Sequence, residues 1–153
     1  MTIVLDANLA VAVAMPMDYT IQATQLFRTW KAIQEQLLAP VLFEYEIITA
    51  LRRAIALKML TLPEAIEGLD LILELGIELV QPTKTLSVEA IQFAERIGQA
   101  KAYDAQYLAL ASRENAPLWT ADRRLANATR VAGLGWVHWV GDWKPATGTA
   151  DSI

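Results

Sequence analysis

Apolar positions fall along the chain in two kinds of run. Ile3-Val4-Leu5 is short, unbroken and rich in branched residues, the pattern of a strand buried on both faces. Residues 20–36 instead space Ile21, Leu26, Phe27, Trp30 and Ile33 as one side of an amphipathic helix. Leu37-Leu38-Ala39 ahead of Pro40 predicts a second short strand, and residues 41–59 a long helix with Phe43, Ile47, Leu51, Ala54, Ile55 and Lys58 along one side. Residues 63–75 predict a helix that starts at a proline, tolerated in a first turn, and stops at Gly76. A strand over 77–80 is closed by Pro82, and a helix over 88–97 ends at Gly98. An Ala- and Leu-rich helix over 104–114, a strand over 117–120, a helix over 122–130 and a last strand over 136–140 complete the series. Residues 144–153 carry Pro, Gly, Thr, Ala and Ser and are expected to form a flexible tail, leaving residues 1–143 as one domain.

Short apolar strands alternating with helices predict an α/β domain whose sheet is mainly parallel and covered by helices on both faces. Ligands of such sheets bind beyond the carboxyl ends of the strands. That rule directs attention to the polar residues that follow each strand.

Composition narrows the chemistry available there. The chain has 153 residues, 54% hydrophobic and 20% charged, which excludes intrinsic disorder. It has no Cys and a single His, which removes disulfides, thiol catalysis, Cys-bound zinc and multi-histidine metal sites. With 13 basic against 17 acidic residues the net charge is −4, against a protein held on nucleic acid by a broad positive field. No basic region precedes the apolar N-terminal stretch, Asp6 interrupts it, and the run over 9–17 is too short to span a membrane, so a cytoplasmic protein is expected.

Carboxylates remain. Asp6 follows the first strand directly and Asp122 follows Leu118-Trp119-Thr120-Ala121, so both belong at the sheet's C-terminal edge. Each would also serve as an ordinary helix cap, as would Asp104. Glu46 lies inside its helix and caps nothing; about 100° per residue turns it away from Glu44, so only one of the two can face a shared site. Carboxylates brought together repel and raise one another's pKa unless a cation neutralises them. A donor set of hard oxygens suits Mg²⁺ or Mn²⁺, ions that can activate water against a phosphodiester.

In these motifs the chain resembles the PIN-domain nucleases, and most closely the VapC-like toxins of bacterial toxin–antitoxin pairs. Val4-Leu5-Asp6-Ala7-Asn8 looks like the family's first strand and first acid. The stretch from Ala39 through Glu46 to Arg53 looks like the second acidic motif, with the acid at Glu46. Tyr103-Asp104-Ala105 through Ala111 looks like the third, and Leu118-Trp119-Thr120-Ala121-Asp122 like the fourth. Trp136 to Asp142 also resembles the last strand of some members. The resemblance implies a three-layer α/β/α sandwich with a short, mainly parallel sheet. It implies that Asp6, Glu46, Asp104 and Asp122 hold Mg²⁺ or Mn²⁺, and that the chain is an endoribonuclease hydrolysing RNA phosphodiesters. Asn8 and Thr120 would orient neighbouring carboxylates. Relatives dimerise and bind a small antitoxin protein, so a homodimer and an antitoxin partner are expected, with the helices over 20–36 and 63–75 as candidate surfaces. Setting the four acids aside leaves 13 acidic against 13 basic residues, a neutral remainder that can meet RNA locally.

Arg53, two turns after Glu46, and Arg123, next to Asp122, are candidate RNA phosphate contacts; the alternative for each is a solvated or ion-paired arginine. His138 reads as structural, and the five Trp residues as core packing or a protein interface rather than a base-stacking set. A competing reading keeps the fold without the activity, as a module that docks an antitoxin or RNA. A haloacid-dehalogenase-like phosphatase also begins with Asp after the first strand, but wants a second Asp where this chain has Asn8. No GxxxxGK[ST] run is present, which excludes a P-loop nucleotidase.

Overall fold

A computed structural model describes residues 1–146. Five strands form one parallel sheet: β1 (Thr2–Leu5), β2 (Gln36–Pro40), β3 (Glu78–Val80), β4 (Leu118–Thr120) and β5 (Val137–Trp139). Their spatial order is β3-β2-β1-β4-β5, with Val4 beside both Leu38 and Leu118. The chain thus winds outward from β1 to β3, returns, and continues outward on the other side through β4 and β5. Right-handed crossovers then place the first four helices on one face and the last three on the other. The helices are α1 (Ala7–Ala14), α2 (Thr20–Ala32), α3 (Leu42–Ala56), α4 (Leu62–Leu73), α5 (Lys84–Arg96), α6 (Tyr103–Arg113) and α7 (Arg123–Val131). A 3₁₀ turn, Val140–Asp142, follows β5. This is the expected three-layer α/β/α arrangement.

The reversal of strand order between β1 and β4 opens a crevice at their carboxyl ends, where doubly wound folds bind ligands. Val4, Leu5 and Leu118 beneath it are wholly buried. Packed under the crevice is α1, which the hydrophobic pattern did not reveal. Its sequence ANLAVAVA buries Ala7, Leu9, Ala10, Val11 and Ala12, so little polar face remains to show a period. Its small side chains admit close neighbours: a Cβ added to Gly68 of α4 would stand 3.3 Å from Cβ of Ala14.

Element ends follow local chemistry. The helix expected over 20–36 stops at Ala32, because Gln34 turns left-handed (φ 57°) and Gln36 enters β2. The helix expected from 88 begins at Lys84, where the Thr83 hydroxyl accepts from Leu86 N–H at 3.2 Å. At α4, Thr61 and Glu64 form a capping box with Pro63 in the first turn. Trp30 is buried, edge-on against Phe27 and Trp119, and the partly buried Trp136 stands edge-on against Phe93. Among the described residues no helix is long and apolar enough to cross a membrane. Residues 144–146 have no regular structure, and 147–153 of the expected tail lie outside the described residues.

Candidate active site

Asp6 leaves β1 and caps α1, its Oδ1 accepting from Leu9 N–H at 3.0 Å. The Thr120 hydroxyl, at the end of β4, donates to Asp6 Oδ2 and accepts from Asp122 N–H at 2.9 Å. One threonine therefore links the first acid to the main chain of the fourth across the crevice. Asp122 in turn caps α7, accepting from Arg124 N–H at 2.9 Å and Leu125 N–H at 3.3 Å. Thr120, expected to orient a neighbouring carboxylate, makes its hydrogen bonds to Asp6 and Asp122 N–H. Asn8 differs: it is exposed in the first turn of α1, lines two clefts, and makes no side-chain hydrogen bond to a carboxylate among the described residues.

The other two acids come from opposite faces of the sheet. Glu46 on α3 is half-buried and receives the Tyr107 hydroxyl at 2.6 Å on Oε1, while Glu44 is exposed on another side of the helix. Asp104 stands in the first turn of α6, and Gln99 Nε2 donates to its Oδ2 at 3.1 Å. Tyr107 lies one turn after Asp104 and is 1% exposed. Neither Tyr107 nor Gln99 was singled out from sequence. The i, i+3 spacing from Asp104 to Tyr107 was the only signal, and a tyrosine at that spacing ordinarily belongs to the core.

Three of the acids are held in their protonated direction, chiefly by burial. Desolvation pushes Asp6 up to about 7, against the hydrogen bonds from Thr120, Leu9 and Ala121, and Asp122 adds a further raising charge. Burial raises Glu46, opposed by the Tyr107 hydrogen bond and assisted by the charge of Asp104. Burial raises Asp104 as well, opposed by Gln99, assisted by Asp122 and offset by Arg124. Tyr107 is pushed well above its ordinary range by burial and by Glu46. The couplings run Glu46–Asp104–Asp122–Asp6, so acids from four elements share one field. They stand apart rather than clustered: among the described residues no three acidic or His side chains lie close enough to form a ready-made metal cage. The donors are nevertheless all hard oxygens, and burial opposes the charge on Asp6, Glu46 and Asp104 with no basic side chain paired to any of them among the described residues. That donor set fits Mg²⁺ or Mn²⁺.

Arg53 and Glu46 line a cleft of about 720 Å³ together with Asn8. Arg123 lines a second cleft with Asn8, Asp122 and Arg124. His138 is exposed beside the Trp119 ring, 5.1 Å between ring centres, and partial desolvation there lowers its pKa.

A doubly wound parallel sheet with Asp6 and Asp122 at its switch point frames the class to which comparison assigns the chain. The profile of the PIN domain matches residues 3–131, and the chain belongs to that family. PIN domains are generally nucleases and typically bind divalent metals. No curated protein sequence matches the chain. Among solved structures it is similar to PAE2754 from Pyrobaculum aerophilum, with TM-score 0.65 and 21% identity over 92% of this chain and 85% of that one. It is also similar to VapBC2 from Rickettsia felis, solved bound to a DNA fragment from their promoter, with TM-score 0.63 and 14% identity over 91% of this chain and 97% of the other. At these identities the two structures speak to the fold.

Proposed function

We propose that the chain is a Mg²⁺- or Mn²⁺-dependent endoribonuclease acting as the toxin of a toxin–antitoxin pair. The observation that carries the nuclease reading is Asp6: a carboxylate 5% exposed at the switch point, pushed up to about 7 and coupled to the other three acids. A purely structural cap has no need of that burial, since an exposed Asp caps a helix equally well.

In this reading Asp6, Glu46, Asp104 and Asp122 hold the cation, directly or through water. A divalent ion bound there supplies charge neutralisation and a water of lowered pKa for attack on a phosphodiester. Thr120 fixes Asp6 in orientation, and Tyr107 fixes Glu46 with one oxygen free. Arg53 and Arg123, in the flanking clefts, meet phosphates of the RNA. The antitoxin role rests on the likeness to a toxin–antitoxin complex and on apolar surface that α4 leaves exposed at Leu62, Ile66 and Leu73. That surface, with Ile21 of α2, is also where a second copy would pack.

The test is RNA cleavage and growth arrest on expression, each with wild type, Asp6→Asn and Asp104→Asn. Cleavage that needs Mg²⁺ or Mn²⁺, stops with EDTA and is lost in both variants is the expected result. Metal-independent cleavage, or wild-type toxicity in both variants, overturns the site. A short neighbouring reading frame whose product binds this chain and relieves the arrest identifies the toxin role.

A further inference from the structure

A polar cleft of about 450 Å³ lies along α7 and shares Arg123 with the cleft that holds Asp122. Arg123, Asn127 and Arg130 line it at i, i+4 and i+7, so all three stand on one side of the helix, and all three are exposed. The Arg123 guanidinium lies over the Trp139 ring, 5.0 Å from its centre, which restrains a side chain that would otherwise be free in water. Arg130 Nη2 donates to Asn127 Oδ1 at 3.0 Å. That bond leaves the Asn127 amide nitrogen as the group able to donate outward.

The charges along this cleft are unspent. Among the described residues the ion pairs are Met1 with Glu35 and Arg113 with Glu114; neither Arg123 nor Arg130 has an acidic partner. Asp142 lines the same cleft without pairing with either. Arg123 and Arg130 thus present two exposed guanidinium groups on one helix face that no carboxylate of the described residues neutralises, open to an anion from outside. The aromatic surface beside them is already partly used. Arg123 lies over the Trp139 ring and Tyr19 meets that ring in a T-shaped contact at 5.2 Å, which leaves less of it for a base to stack on. A guanidinium fork matches phosphate oxygens instead.

We propose that this face of α7 is a track for the backbone phosphates of single-stranded RNA on one side of the scissile bond, with Arg123 and Arg130 each taking a phosphate and Asn127 donating between them. The track rests on the nuclease reading, because it begins beside Asp122 and gives the strand a direction away from the carboxylates.

Binding of a short labelled single-stranded RNA, followed by fluorescence anisotropy in EDTA over a range of salt, tests it. Each phosphate contact on a single strand contributes about 0.7 to the slope of log K against log salt. Arg130→Gln, which leaves Arg123 on Trp139, is expected to reduce the slope by about 0.7, and Arg123→Gln with Arg130→Gln by about 1.4. The double variant then binds about 25-fold more weakly near 0.1 M salt. Arg28→Gln, on the exposed side of α2, keeps the wild-type slope. Unchanged slopes in the α7 variants, or an equal loss with Arg28→Gln, overturn the track while metal-dependent cleavage by wild type leaves the nuclease reading intact. Neither cleavage nor RNA binding by wild type overturns both.

Discussion

Replacing Asp6 by Asn is expected to change stability in a way that depends on pH, because the folded chain penalises the charge on that carboxyl. The group is raised from 3.8 to about 7. Below the unfolded value both states hold the proton and no penalty exists. Between the two values the unfolded chain ionises while the folded chain does not, and stability falls by about 1.4 kcal/mol per pH unit. Above the folded value the penalty is complete, about 4 kcal/mol for the whole shift. Asn carries no charge and avoids this loss. In urea denaturation with EDTA, Asp6→Asn should therefore gain on wild type by about 3 kcal/mol between pH 5 and pH 8. Contributions from Glu46 and Asp104 have the same sign but are common to both proteins and largely cancel. Any fixed cost of the new amide is the same at each pH and does not affect the trend. Adding Mg²⁺ or Mn²⁺ should restore the wild type at high pH and leave the variant unmoved. A stability difference that stays level within about 1 kcal/mol across this range would refute the claim that burial opposes the Asp6 charge.

Thr120→Val keeps the side-chain shape, deprives Asp6 of a donor and leaves Asp122 N–H without its acceptor; a loss of about 1–3 kcal/mol is expected by urea denaturation, steepest above pH 7. Tyr107→Phe should retain the fold and lower metal-dependent cleavage about 10–100-fold, with the acidic limb of the pH–rate profile moved upward as Glu46 loses the bond that favours its charge. An unshifted limb would separate Tyr107 from Glu46. Gly141→Ala would drive a methyl into Cη2, Cζ2 and Cζ3 of Trp139; destabilisation of about 1–3 kcal/mol with an altered near-ultraviolet circular dichroism spectrum is expected.

The parts of this molecule legible in sequence are those set by local pattern. A branched run followed directly by an acid located Asp6, the short strand ahead of Ala121 located Asp122, and helix phase separated Glu46 from Glu44. What escaped was set by environment. Helix α1 is enclosed by its neighbours and so nearly uniformly apolar that periodicity could not report it. Helix α5 starts a turn early because a threonine cap, rather than an apolar face, determines where it begins. Tyr107 meets Glu46 across 61 residues of sequence, a pairing that exists only after the sheet has brought α3 and α6 to the same edge. Asn8 has the right chemistry to orient a carboxylate and lines the clefts that hold Glu46 and Asp122, but it makes no side-chain hydrogen bond to either among the described residues.

The bond between Thr120 and Asp6 joins positions 114 residues apart. On a ribosome adding roughly 5–20 residues each second, β1 waits several seconds or more for β4 to be made. Until then Asp6 has no partner across the crevice and Asp122 does not yet exist. The pocket is consequently assembled late and as a unit, when β4 docks beside β1. A nascent chain has no competent site, and any excursion that peels β4 from β1 dismantles it at once.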